Sequence, residues 1–149
     1  MPPVRIIVSN RRARRDYEII ETVECGIVLL GSEVKSVKAG MVSIAEAYAE
    51  PIGGEIWLMD MHVAQYPHSG PFVHEPTRPR KLLLRKNEIK HLIGKVSRRG
   101  YTLIPLSIYI KRGFIKLELG LAKGRKKHEK RDVIKRREAE REIRKELRG

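Results

Sequence analysis

The chain has 149 residues, 41% of them hydrophobic, and sets 32 Lys and Arg against 18 Asp and Glu for a formal net charge of +14. Such a length buries one core of ordinary domain size and is too short to favour two full domains. The positive surplus points to a polyanionic partner, nucleic acid first; no apolar run approaches the roughly 20 residues of a membrane-spanning helix and no signal-peptide pattern opens the chain, so a cytoplasmic protein without a membrane partner is expected.

In chain order, Asn10 is placed to cap a short basic helical turn through Asp16. "YEIIETVECGIVLLG" offers two β-rich runs meeting at Glu24-Cys25-Gly26, where glycine permits a bend, and predicts a hairpin or curved strand pair. Cys25, the single cysteine, rules out an internal disulfide and reads as a small buried thiol. Glu33 to Ala39 reads as a second short helix. "SIAEAYAEPIGGEIWLMDMHVAQY" gives two further strands around Gly53-Gly54, a dipeptide suited to the positive φ values of a tight hairpin. Pro67, Pro71, Pro76 and Pro79 then deny a regular ladder and predict a long loop.

"RKNEIKHLIGKV" places Ile89, Leu92, Ile93 and Val96 on one face of a third helix. "YTLIPLSIYIKRGFIKLELGLA" supplies a third strand pair around Lys111-Arg112-Gly113, with Gly120 and Gly124 expected to end its second strand. The result is a mainly β chain: about six short antiparallel strands closed into a barrel with three flanking helices. Among such barrels the OB-fold is the one most associated with oligonucleotides, an analogy of fold and not of function.

Residues 120 to 149 hold 13 Lys and Arg and 6 Asp and Glu, a net of +7, so one fifth of the chain carries half of the surplus. Ile134, Ala139, Ile143 and Leu147 make only a thin apolar stripe among many opposite charges at helical spacing. The expected organisation is therefore a barrel over 1–123 and a basic tail over 124–149, disordered when free.

Motifs for catalysis are missing. His62, His68 and His74 recur every six residues without the close ligand pairs of a zinc site, and "GLAKG" lacks the strand–loop–helix setting of a phosphate loop. Glu24 and Glu33 read as salt-bridge partners or caps in preference to an acid–base pair. A non-enzyme without metal or cofactor is expected. Binding signals are stronger: Arg11, Arg12, Arg14 and Arg15 lie within five residues and offer several guanidinium forks to phosphates. Arg78, Arg80, Lys81, Arg85 and Lys86 bracket Leu82 to Leu84, of which Leu83 could pack on a base or sugar, with ordinary strand core as the rival reading. With 5% aromatic residues, readout by stacked bases is not expected, and recognition of a structured RNA by shape and backbone is.

"NRRARRDY", "ECGIVLLGSEVKSVKAG", "PTRPRKLLL", "GYTLIPLSIYIKRGFIKLELGLAKGRK" and "HEKRDVIKRR", in this order and spacing, resemble the small protein B (SmpB) family of bacterial tmRNA-binding proteins, from about Asn10 to the C-terminus. The resemblance implies an OB-fold barrel with three helices that binds the tRNA-like domain of tmRNA. It implies support for delivery of that RNA, carried by elongation factor Tu, to ribosomes stalled without a usable codon. By position in the motifs, Asn10, Glu24, Leu83 and Lys116 correspond to the family's RNA-contacting set. Gly124, His128, Glu129, Lys130 and Arg131 correspond to tail positions that work in the vacant mRNA channel and decoding centre of the small subunit. Glu129 stands where the family usually has Asp, one methylene longer with the carboxylate kept. Two rival readings remain open at this point: a general RNA-binding OB-fold protein of translation or ribosome assembly, and an interaction protein whose tail binds an acidic partner.

Overall fold

A computed structural model of the chain describes residues 4–65, 67, 74–98 and 100–124. Strand β1 (Val4–Ser9) leads into helix α1 (Arg11–Asp16), β2 (Tyr17–Ile27), α2 (Gly31–Lys38), β3 (Val42–Ser43), β4 (Tyr48–Ile52) and β5 (Glu55–Met59). After β6 (His62–Val63) come β7 (Arg80–Leu83), α3 (Lys86–Val96), β8 (Tyr101–Lys111) and β9 (Phe114–Gly124). The main sheet runs β1-β8-β4-β5-β7-β2-β9 and closes on itself because β8 also pairs β9. The closed ring thus has six strands, all paired antiparallel, with β1 laid along the second half of β8 on the edge that β4 takes at its start, and β3–β6 as a small side ladder. This is the barrel expected from the sequence.

Closure needs strong curvature, and the register slips of the ring ladders show where it arises. They shift between Ile19 and Glu21 and between Pro105 and Ser107, where a proline without an N–H coincides with the irregularity; β1, outside the ring, shifts against β8 between Ile6 and Val8. Two of the three expected strand pairs form as hairpins: Gly53 (φ 59°) with Gly54 (φ 80°), and Arg112 (φ 53°) with Gly113 (φ 81°), supply the two positive φ values of a two-residue turn.

Two expectations are corrected. Tyr17 to Ile27 is one strand without a turn, and Gly26 serves a close approach instead: a Cβ there would lie 3.2 Å from Leu83 Cβ. Gly120 does not end β9 but lies under Leu106, whose Cδ1 would be 3.0 Å from an added Cβ.

The interior holds Cys25, Ile56, Leu58, Leu82, Leu103, Ile108, Leu117 and Leu119, sealed by Ile89 and Leu92 of α3 and Val37 of α2. At about 1.5–3 kcal/mol for each large apolar side chain, this interior is what opposes the entropy of ordering the chain. A second, smaller cluster lies outside the ring: Ala13 of α1 packs on Ile104, Leu106 and Ala122. That contact fixes the arginine-rich helix to the barrel wall.

Candidate nucleic-acid interface

Side chains alternate across a strand, so Cys25 entering the core sends Glu24 and Gly26 outward. Register then assembles a surface from distant parts of the chain. Gly26 pairs with Leu83 of β7 on one side and Lys116 of β9 on the other; Lys116 pairs with Tyr109 of β8, and Tyr109 with Ile6 of β1. The adjacent row joins Glu24, Glu118, Ser107 and Ser9. Three of the four barrel residues singled out in the sequence, Glu24, Leu83 and Lys116, therefore share one outer face. Leu83 is 51% exposed there, and the glycine beside it is why the ladder tolerates its bulk.

The carboxylate on this face is held in place. Glu24 Oε2 accepts from Tyr109 Oη at 2.5 Å and from Lys111 Nζ at 3.3 Å. The Tyr109 hydrogen bond lowers the Glu24 pKa more than burial raises it, and Lys111 adds to the lowering. Burial and the neighbouring Glu24 raise the Tyr109 pKa, so the phenol keeps the proton it donates. An ionised Glu24 retains acceptor capacity for a 2′-hydroxyl or a base amine. Lys116 Nζ lies 5.9 Å from the ring centroid of Phe114 and makes no ion pair among the described residues, so its charge is available to a phosphate.

Helix α1 borders this face. A groove of about 260 Å³ lined by Ser9, Arg11, Arg14, Ser107 and Glu118 connects them. Arg11 is exposed; Arg12 pairs with Glu46 at 3.0 Å and Arg15 with Asp16 at 3.1 Å, both partly open to solvent. The exposed Arg12–Glu46 pair exchanges readily for a phosphate because such a pair contributes at most about 1 kcal/mol.

Two expected contacts are corrected by burial. Asn10 is 9% exposed: its Nδ2 donates to the carbonyls of Ile44 and Pro105, and its Oδ1 caps α1 by accepting from Ala13 N–H. Its amide thus positions the arginine helix from a largely buried place at the edge of the groove beside Arg11 and Arg14. Arg80 is fully buried, because it alternates inward with Leu82 and pairs opposite Leu58. Its guanidinium donates to Glu33 Oε2 at 2.5 Å and to the Met61 and Pro76 carbonyls, while Arg78 takes the other Glu33 oxygen. Burial alone would raise the Glu33 pKa, but hydrogen bonds from Arg78, Leu30 N–H and Arg80 outweigh it and hold it low. Glu33 is therefore structural and far in role from Glu24.

Lys81 is half-buried, 4.0 Å from Glu55. Gly124 ends β9 opposite Tyr17, and His128, Glu129, Lys130 and Arg131 lie outside the described residues. Among the described histidines, His74 is buried, with Nδ1 against Ser32 Oγ and Nε2 against the Val63 carbonyl. Tyr109, Glu118 and Phe114 were missed as site residues in the sequence; the alternation of β8 and β9 carried the signal, since Ile108 and Leu117 inward force Tyr109 and Lys116 outward.

Residues 7–149 match the family profile described as SmpB protein. A Roseiflexus sp. (strain RS-1) protein named SsrA-binding protein is 52% identical over 144 residues, covering 96% of this chain and 91% of the relative. Proteins of the same name from Thermosynechococcus vestitus and Ligilactobacillus salivarius are 48% and 46% identical, over 94% and 99% of this chain and 93% and 96% of their own lengths. A solved chain from "tmRNA-SmpB: a journey to the center of the bacterial ribosome" aligns with a TM-score of 0.69 and 44% identity, over 85% of this chain and 93% of that one.

Proposed function

Because the chain belongs to the SmpB family, we propose that it binds tmRNA and acts in trans-translation on the ribosome, as an RNA-binding protein and not an enzyme. The observation that carries this reading is a fold shared, at 44% identity, with a chain described as tmRNA-SmpB. The outer face supports it physically. An anchored carboxylate, an exposed leucine and a lysine without an ion pair among the described residues stand beside an arginine helix, a combination suited to the sugar-phosphate backbone and 2′-hydroxyls of a folded RNA.

The RNA element we assign to this face is the tRNA-like domain, contacted through Glu24, Leu83 and Lys116 with Arg11, Arg12, Arg14 and Arg15 supplying phosphate contacts. Lys81 lies at the margin of this set. Contact with elongation factor Tu is then indirect, through the aminoacylated RNA. The basic tail, with Gly124, His128, Glu129, Lys130 and Arg131, enters the empty mRNA channel of the small subunit, where polyanionic surroundings relieve its self-repulsion and favour helix formation. A protein working on the ribosome acts in the cytoplasm; among the described residues no helix is long and apolar enough to cross a membrane.

The test is to purify the protein from its cells and sequence the RNA that accompanies it. Enrichment of tmRNA over other structured RNAs is expected. Recovery of RNAs in proportion to their abundance would overturn the reading in favour of a general RNA-binding barrel.

A further inference from the structure

Phe114 is the most exposed of the large apolar side chains among the described residues, at 67%. It opens β9 at the tip of the β8–β9 hairpin, two residues before Lys116, so both side chains leave the same face of the strand. The packing of the barrel does not account for it, since its position outside the ring removes little of its surface from water. Its surroundings are cationic. Lys111 is its partner across the ladder, Arg112 forms the turn before it, and Lys116 Nζ stands 5.9 Å from the ring centroid. A groove of about 240 Å³ beside the ring is lined by Leu29, Val34 and Lys38, and Arg5 donates to the Lys38 carbonyl at 3.2 Å. Glu24, a carboxylate of the same outer face, is already held by Tyr109 and Lys111.

We propose that Phe114 stacks on an unpaired base of the RNA bound at this face, with Lys111, Arg112 and Lys116 holding the flanking phosphates. This rests on the RNA-binding reading above and adds base contact to what would otherwise be recognition of backbone alone. An A-form helix covers its base faces by stacking, so only a base in a loop, bulge or end offers a π-face to the ring. A ring surrounded by cations suits a base flanked by phosphates better than an apolar protein segment, which would bury those charges without partners. The adjoining Leu29 and Val34 extend the apolar floor beside it.

The test uses the full chain with Phe114→Ala, Phe114→Tyr and Phe114→Trp, and a tmRNA transcript as probe. Phe114→Ala should weaken binding about tenfold with an unchanged slope of log affinity against log salt, because stacking releases no counterions. Phe114→Tyr should bind as the parent does. The emission of Phe114→Trp, after subtraction of the Trp57 background, should be quenched on adding tmRNA. Normal affinity of Phe114→Ala, or unquenched emission from the Phe114→Trp variant while tmRNA binds, would overturn the stacking and leave the RNA-binding reading intact. If Phe114→Ala keeps tmRNA affinity and instead loses an acidic protein partner, the proposal is likewise wrong. Absence of tmRNA preference in the parent chain would instead be the failure of the broader reading.

Discussion

Tyr109 gives its hydroxyl hydrogen to Glu24 Oε2 across 2.5 Å, joining residues 85 positions apart on the outer face of the barrel. The bond engages one carboxylate oxygen and leaves the other to accept from a ligand. Tyr109→Phe should therefore cost about 1 kcal/mol at pH 7, below the roughly 1.5–3 kcal/mol of a bond to a charged acceptor because the Glu24 side chain is 40% exposed. Glu24 has a folded-state pKa below its ordinary 4.5, so the stability it contributes is present above that value and lost as pH falls through the folded one. The gap between the parent and Tyr109→Phe in urea unfolding should narrow in that acid window. A gap that widened there would contradict the assignment.

The buried triad of Arg78, Glu33 and Arg80 makes a separate prediction. Glu33→Gln leaves the fully buried Arg80 without its counter-charge, and destabilisation of about 3–5 kcal/mol is expected in chemical denaturation. At temperatures where the variant is still folded, its affinity for tmRNA should be unaltered.

Asn10 distinguishes a positioning amide from a contacting one. Asn10→Asp keeps an oxygen for the α1 cap but sets a carboxylate against the Ile44 and Pro105 carbonyls, which now receive donors. It should lose about 2 kcal/mol or more, measured as a fall in melting temperature, whereas a pure cap residue would tolerate the change. Asn10→Ala should also destabilise, and its RNA defect should diminish on cooling as α1 is held in place again.

Much of this was legible in the chain. The glycine pairs at Gly53-Gly54 and Arg112-Gly113 announced their hairpins through local φ demands, and the periodicity of Ile89, Leu92, Ile93 and Val96 announced α3. What was not legible depended on partners across the ring. Gly26 looks like a bend until Leu83 is seen packed over it, and Arg80 looks like a surface cation until Leu58, Glu33 and two carbonyls are placed around it. Asn10 was read correctly as a cap, yet its two further hydrogen bonds run to residues 34 and 95 positions away, beyond any local pattern.

Removing the residues after Gly124 should separate the two halves of the proposed function. Gly124 itself is kept because its N–H bonds to the Gly100 carbonyl at 3.2 Å. The barrel should melt within a few degrees of the full chain and retain most tmRNA affinity, losing a non-specific electrostatic share. Tagging of stalled nascent chains should fail. Replacing Glu129, Lys130 and Arg131 with Ala should reproduce this on a smaller scale, whereas normal tagging by either protein would remove the tail from the mechanism.

The central claim is that register on the outer barrel face, through Glu24, Leu83 and Lys116, creates the RNA site. Its most direct measurement is the equilibrium affinity of a Glu24→Ala, Lys116→Ala double variant for tmRNA, taken beside its melting temperature. A loss of at least about tenfold in affinity with melting changed by no more than a few degrees is predicted, together with a salt slope lowered by roughly 0.7–0.9 for the missing lysine contact. Unchanged affinity and slope in a folded variant would contradict the account and move the RNA site elsewhere on the chain.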